Sequence, residues 1–350
     1  MENAGTRGGD ERIPVGVVGT GGMGSMHAHC LHRKVAGARV AAVSDVDAGR
    51  AGKVAEECGA AVFGDAVEMI RDAGVEAVVI ASPDPTHAEL VHECLRLGKP
   101  VLCEKPLATS PEEALGIVEA EIEAGRKLVQ VGFMRRYDPQ HVDVKNVALS
   151  GAIGEPVLFK GWHRNARIPP GADSAWVVIN AAIHDLDSAR WMLEAEVEEV
   201  FVRGLNTTGG GEDRYDLQLM QLTFADGRLA TIEVNVDARF GYEVGVEVVG
   251  VNGTAHTAPP SGAVVRLDRA HAQSVEDDWL GRFEPAYTIE LQEWAESIRR
   301  DRPPAPDAWD GYASLVVAGA CIASIRSGNP EAVSLPEKPA LYEKEGSVAR

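Results

Sequence analysis

The chain has 350 residues, 45% of them hydrophobic and 25% charged, a length that suits two domains and a composition that is neither disordered nor membrane-like. Its formal net charge of -19 repels a phosphate backbone, and no basic stripe offsets it, so nucleic acid is excluded as a general partner. No apolar run approaches bilayer-spanning length, so no membrane partner is expected, and five scattered cysteines without a CxxC pair point to reduced thiols in a cytoplasm, with no structural zinc.

The opening MENAGTRGGDER is polar and Gly-rich, which predicts a disordered leader over residues 1–12 and not a signal peptide. IPVGVVGTG, ARVAAVSDVD and VEAVVIASP then read as strands. MGSMHAHCLHRKV, AGRAGKVAEEC and AVEMIRDAG carry helical spacing between and after them. HAELVHECLRLGKPVLCEKP and PEEALGIVEAEIEAGRKLVQVGF repeat the unit. Continuous apolar strands alternating with helices predict an α/β domain, a doubly wound parallel sheet covered on both faces, over residues 13–134.

Residues 135–335 change character. PVLFKGWHRN, VEEVFVRGLN, YDLQLMQLTFADGRLATIEVNVDAR and YEVGVEVVGVNGTAHTA alternate apolar with polar residues, and Asp226-Gly227 supplies a hairpin turn. This predicts an α+β domain with a large open mixed or antiparallel sheet, whose wet face is available to a second subunit. TIELQEWAESIRRD and DGYASLVVAGACIASIRSG read as two late helices, the second expected to return to the first domain. Residues 336–350 form a tail, and its charge run EKPALYEKEG carries no assignable chemistry.

The first chemical motif is GVVGTGGMGSMH. Gly19, Gly21 and Gly24 satisfy GxGxxG after a strand and at the opening of a helix, with Gly22 and Met23 inside the loop. The first glycine permits the tight turn, the second admits a pyrophosphate, and the third packs the helix close; helix N–H groups hold the diphosphate. Asp45 ends the next strand, where an acid accepts hydrogen bonds from the adenosine ribose. An acid there repels a 2'-phosphate and no Arg directly follows it, so NAD is the expected cofactor, with Arg50 the one argument for NADP.

The second motif is VLCEKPLAT. Glu104 and Lys105 lie at the carboxyl end of a parallel strand, where ligands bind in this architecture; beside a cationic nicotinamide a buried Lys loses basicity and can share a proton with a hydroxyl. A surface Lys paired with Glu104 is the plainer alternative. The third is VINAAIHDLDSARWML, an amphipathic helix carrying His184 with Asn180 one turn before it. An imidazole suits the general base for a secondary alcohol. A core histidine is the alternative. Asp185 and Asp187 fall on other helix faces and are expected to cap or pair at the surface.

GTGGMGSMHA, ASPDPTHAELVHECLRLGKPVLCEKPLA, QVGFMRRYDP, HRN and IHDLDSARWML, in that order, resemble the glucose-fructose oxidoreductase / inositol dehydrogenase / MocA family over residues 13 to 330. Within it, QVGFMRRYD and HRNARIPP are similar to segments that line the polyol pocket of inositol dehydrogenases. The resemblance implies a Rossmann domain, a second domain on a large open sheet, and a homotetramer or homodimer formed through that sheet. It makes Lys105 a catalytic and substrate-binding residue and His184 the acid/base. Arg135, His163, Asn165 and Tyr242 match positions that hold ring hydroxyls, although His163 equally suits a surface strand. Ser82, Pro83 and His87 match the loop that brackets the cofactor.

The resemblance also implies an Asp where this chain has Asn180. An amide can orient an imidazole but supplies no charge to stabilise imidazolium. Three consequences stay open. Asn180 orients His184 or contacts substrate while Lys105 carries more of the proton transfer; the substrate is a modified cyclitol or sugar; or catalysis is lost and an NAD-binding regulator remains. The expected function is NAD-dependent oxidation of a ring hydroxyl of a cyclitol, with an aminocyclitol ring of an aminoglycoside as the alternative. His27 and His29, two apart on a helix, diverge and do not suggest a metal. Trp279, Arg282, Phe283 and Tyr287 either close the pocket or belong to the core.

Overall fold

In chain order the first elements are β1 (Ile13–Val18), α1 (Gly22–Arg33), β2 (Ala38–Ser44), α2 (Ala48–Cys58), β3 (Ala61–Phe63), α3 (Ala66–Arg71), β4 (Ala77–Ile80), α4 (His87–Arg96), β5 (Val101–Cys103), α5 (Pro111–Ala124) and β6 (Val129–Val131). The computed structural model describes residues 12–209, 213–258 and 264–343; all but the last residue of the expected leader, and the last seven of the expected tail, lie outside them.

The six strands pair in parallel in the order β3-β2-β1-β4-β5-β6. Strands β1, β4 and β5 are buried at every position, which is why their sequences are continuous apolar runs with no alternation. The order reverses direction between β1 and β4, so the crevice beyond their carboxyl ends is the ligand position of this architecture. Helix boundaries follow local chemistry. The Asp47 side chain caps α2 by accepting from the N–H of Gly49 and Arg50, and Gly59 ends it in the left-handed conformation. Ser110 caps α5, with Pro111 at its first position and Gly125 at its end.

The remainder comprises α6 (Pro139–Leu149), β7 (Pro156–Arg164), α7 (Ser174–Val177), a π-helical turn (Val178–Ala182), α8 (Ile183–Leu193), β8 (Val197–Leu205), β9 (Leu217–Phe224), β10 (Leu229–Asn235), β11 (Glu243–Gly250), β12 (Thr254–His256), β13 (Val264–Leu267), β14 (Ala270–Gln273), α9 (Trp279–Arg299), α10 (Ala308–Ser327) and β15 (Glu331–Ala332). A seven-stranded mixed sheet runs β12-β11-β7-β10-β9-β8-β15, with β7 and β10 parallel and the other neighbours antiparallel. One face is apolar core: Phe159, Met220, Leu222, Ile232 and Val246 meet Leu186 and Ala189 of α8 and Val317, Ala318 and Cys321 of α10. The opposite face leaves Leu205, Leu219 and Leu229 exposed. The expected hairpin joins β9 to β10 through Asp226-Gly227, with Gly227 at φ +85°.

The chain divides into two units, residues 1–132 with 287–308 and 339–350, and residues 133–286 with 309–338. The first boundary falls two residues before the expected one, but the units are not consecutive blocks. The late helices also exchange roles. It is α9 whose Leu291, Trp294 and Ala295 join Val15, Leu31 and Val79 in the first unit's core, whereas α10 belongs to the second. By length and apolarity α10 could cross a membrane, contrary to the sequence expectation. Its small and apolar side chains fill the core on several sides instead, as in the buried helix of a large domain. The terminal charge run is likewise not inert: Tyr342 is buried in the first unit and donates to Glu121 Oε2 at 2.7 Å.

Candidate active site

In the first unit the glycine loop has the geometry a diphosphate requires. Gly19 sits at φ +81°, a conformation side chains disfavour. A Cβ on Gly24 would lie 1.8 Å from the Gly19 carbonyl oxygen, so only glycine lets α1 start so close to β1. A Cβ on Gly21 or Gly22 would meet nothing within 4 Å, which leaves open space above the first N–H groups of α1. Met23 stands half-buried between these positions. A cavity of about 460 Å³ opens there, lined by Thr20, Gly21, Gly22, Ser25, Arg50 and Lys53 among others. These residues fit a dinucleotide.

Asp45 ends β2 at the mouth of this cavity. Its Oδ2 accepts from the Thr20 N–H at 2.7 Å and the Thr20 hydroxyl at 3.0 Å, and its Oδ1 accepts from Arg50 Nη2 at 2.9 Å. Burial alone would raise its pKa, but the Arg50 hydrogen bond and the N–H groups of Asp47 and Thr20 bring it down to about 2. It is an anion at any working pH.

Lys105 follows β5. Burial depresses its pKa below the usual ammonium value, against the opposing charges of Glu104 and Asp84. Glu104 faces inward: its Oε1 lies 2.7 Å from His27 Nε2 of α1, and its Oε2 accepts the Lys105 N–H at 3.3 Å. It therefore ties the lysine loop to the glycine-loop helix, and His27 serves that tie. The expected cofactor loop is also braced from behind. His87 Nδ1 is 2.7 Å from the Pro106 carbonyl oxygen and Nε2 is 2.9 Å from that of Ser82, so this ring clips two loops together while Ser82 and Pro83 form the outer surface.

In the second unit the sequence-implied substrate positions converge. Arg135 Nη1 donates to Asp185 Oδ1 at 2.6 Å, Arg135 Nη2 lies 3.0 Å from His163 Nδ1, and that nitrogen is 3.1 Å from Asp185 Oδ2. The Tyr242 ring meets His163 edge-on at 5.9 Å, its hydroxyl pairs with Arg135, and the Asn165 side chain pairs with His163. Burial pushes His163 down, opposed by Asp185 and assisted by the Arg135 charge. Burial would raise Asp185, but Arg135 and His163 hold its carboxyl below the usual range.

Two sequence expectations are corrected here. Asp185 and Asp187 are buried, with 0% and 1% exposure, and neither caps nor pairs at the surface. Helix α8 is covered on nearly every side, so its acids must find internal cations. Asp187 takes both Arg136 Nε at 2.9 Å and Nη2 at 2.6 Å, and Asp310 accepts from Arg136 Nη1 at 3.0 Å. The second correction concerns spacing. Asn180 lies in the π-helical turn, whose wider winding precedes α8 and is a frequent mark of functional sites. His184 follows it, buried, with Phe133 edge-on at 6.1 Å. Arg282 and Phe283 resolve as packing residues: Arg282 binds both oxygens of Asp138, at 2.7 and 2.9 Å, and Phe283 is fully buried. Asp185 is the residue sequence reasoning missed; the facing pairs MRRY and HDLD were the available signal.

A glycine loop at a sheet switch point, an acid ending the next strand and a lysine of depressed pKa define a dinucleotide-dependent oxidoreductase. Residues 13–133 match the model of the oxidoreductase family's NAD-binding Rossmann fold, and residues 147–335 match that of its C-terminal alpha/beta domain; the chain belongs to the glucose-fructose oxidoreductase / inositol dehydrogenase / MocA family. It is similar to an inositol 2-dehydrogenase of Rubrobacter xylanophilus, 63% identical over 98% of this chain and 99% of that one. Inositol 2-dehydrogenase 1 of Saccharopolyspora erythraea is 46% identical over 94% and 99%. Among solved structures, the myo-inositol dehydrogenase of Lactobacillus casei, crystallised with NAD(H) and myo-inositol, superposes with a TM-score of 0.91 at 31% identity, covering 95% of this chain and all of that one. The chain is an NAD-dependent enzyme acting on a CH–OH donor.

Proposed function

We propose that the enzyme oxidises one ring secondary hydroxyl of a cyclitol, inositol first, and reduces the ketone in the reverse direction. The observation that carries this reading is the convergence of Arg135, His163, Asn165 and Tyr242 on one buried cluster. A ring bearing many hydroxyls needs such a dense set of fixed donors and acceptors. The 63% identity to an inositol 2-dehydrogenase supports it.

Gly19, Gly21, Gly22 and Gly24 hold the diphosphate, and Asp45 holds the adenosine ribose. Ser82 and Pro83 bracket the ring end of the cofactor. The nicotinamide supplies the hydride acceptor. Lys105, its basicity lowered by burial, binds the reacting oxygen and shares its proton, and His184 takes that proton as general base. Asn180 orients the imidazole without adding charge, so Lys105 carries more of the electrostatic work than an Asp in that place would require.

The test follows NADH absorbance over a panel of cyclitols, aldoses and aminocyclitols with NAD+ and NADP+ side by side. Turnover of myo- or scyllo-inositol with NAD+ is expected. Silence on inositols with turnover of an aminocyclitol would move the substrate to aminoglycoside-type rings, as the neutral Asn180 would favour. Tight NAD binding without turnover of any polyol would mark a regulator. Lys105→Ala should lower kcat by ~10²–10⁴-fold while leaving the NAD+ dissociation constant within about threefold; near-full activity would remove the lysine from the mechanism.

The assembly we expect is a homotetramer or homodimer through the open sheet face with Leu205, Leu219 and Leu229. Light scattering should return a multiple of 37.3 kDa, and Leu219→Lys should shift it toward one chain. A cytoplasmic location accords with the five buried free thiols.

A further inference from the structure

His163 Nδ1 sits in the crook of an ion pair, 3.0 Å from Arg135 Nη2 and 3.1 Å from Asp185 Oδ2. Arginine can only donate and an ionised carboxylate can only accept. One nitrogen therefore faces two partners that demand opposite tautomers. If Nδ1 carries the hydrogen and donates to Asp185, Nε2 is left with a bare lone pair. If Nδ1 accepts from Arg135, Nε2 carries the hydrogen instead. The two forms offer a ligand an acceptor or a donor at the same place.

We propose that Asp185 is a positioning residue that holds His163 in the Nδ1–H form, so that Nε2 is presented to the polyol as a hydrogen-bond acceptor for a ring hydroxyl. This rests on the reading of the cluster as the polyol side of the enzyme. Three further observations fit it. Asp185 has no exposure and sits directly after His184 on α8, so the residue proposed as base and the residue that sets the tautomer share one helical turn. The Arg135–Asp185 contact at 2.6 Å fixes the carboxylate with its second oxygen turned to the imidazole. Gly161 lies beneath it, where an added Cβ would come within 3.3 Å of Asp185 Oδ1.

Asp185→Asn separates this role from mere packing. The amide oxygen can still accept from Arg135, but its NH2 then faces Nδ1 and donates to it, which places the hydrogen on Nε2. A hydroxyl proton then meets a donor, whereas a ketone oxygen still finds one. The expected result is an increase of ~10-fold or more in KM for inositol, the size of one mismatched hydrogen bond, with KM for the corresponding ring ketone within about threefold. The kcat values shift to satisfy the fixed overall equilibrium. General loosening of the site would raise both KM values alike, and that result, or no change in either, overturns the proposal.

Two controls keep the test decisive. Gly161→Ala nudges the same carboxylate and should give the same asymmetry more weakly, which serves if Asp185→Asn does not fold. In a His163→Gln background the Asp185→Asn asymmetry should vanish, because the tautomer it acts on is gone; its persistence also counts against the proposal. A wild-type enzyme that turns over no polyol would defeat the proposed function instead, before any variant is compared.

Discussion

At the cofactor cavity Asp45 and Arg50 hold each other at 2.9 Å, with Lys53 on the same wall. The anion selects against a 2'-phosphate, yet two cations that would welcome one are already in place. Asp45→Ser alone should therefore raise the NADP+ to NAD+ ratio of kcat/KM by at least ~10²-fold, a couple of charge-assisted hydrogen bonds' worth. Adding Arg50→Ala should return most of that gain. Retention of the full gain in the double variant would show that Arg50 takes no part in selection. Asp45 was legible in the sequence because the strand-end acid is set by backbone geometry. Asp185 was not, because its partners Arg135 and His163 lie 50 and 22 residues away, and helical spacing says only which face a residue occupies, not whether that face is covered. A helix that is buried almost all round gives its acids no surface to reach, so charge complementarity between MRRY and HDLD was the informative pattern and periodicity the misleading one.

Elements of the first sheet were legible because each carries its own stop and start: Asp47 and Ser110 as caps, Gly59 and Gly125 as left-handed ends. Each rule is local, and each acts before tertiary packing. The π turn over Val178–Ala182 was illegible for the opposite reason: no residue in VINAA demands it. A single wide turn changes the phase of everything after it, so extrapolating a 3.6-residue period from Asn180 to Asp187 misplaces the acids. The late helices failed differently. Both are apolar enough to belong to either core, and composition cannot say which. At this scale the sharpest prediction concerns the β1–α1 junction. Gly24→Ala puts a methyl 1.8 Å from the Gly19 carbonyl oxygen, which neither backbone can yield without moving the helix N-terminus. NAD+ affinity should fall by ~10-fold or more, with stability lost by about 1–3 kcal/mol as for an overpacked core. Isothermal titration and urea unfolding measure the two, and unchanged NAD+ binding would show that the close approach is not needed for the diphosphate.

Across the whole chain, consecutive reading assigns residues to domains in blocks, whereas the fold sends α9 and the last residues back to the first unit. The return is anchored by Tyr342, whose hydroxyl donates to Glu121 Oε2 while the N–H groups of Leu128 and Val129 donate to Oε1. Lys127 stands 5.0 Å over the Tyr342 ring and pairs with Asp307 at 2.9 Å. Burial raises the Glu121 pKa to about 7 despite those donors, with Asp307 adding to the rise. The unfolded chain gives up this proton near 4.5, the folded chain only near 7. Between those values the native state binds more protons, so stability falls as pH rises through the window, by up to about 3 kcal/mol from this group alone. Glu121→Gln removes the titration and keeps the contacts, because the amide oxygen can accept from both N–H groups and the amide NH2 can donate to the tyrosine. The variant should match the wild type near pH 5 and melt a few degrees higher at pH 8, at roughly 2–4 °C per kcal/mol. NAD+ present at saturation would add the same binding term to both proteins and leave the difference standing. Parallel melting curves from pH 5 to 8 would mean that the carboxyl is ionised throughout and that the tail is held by the tyrosine's burial, with no contribution from the proton.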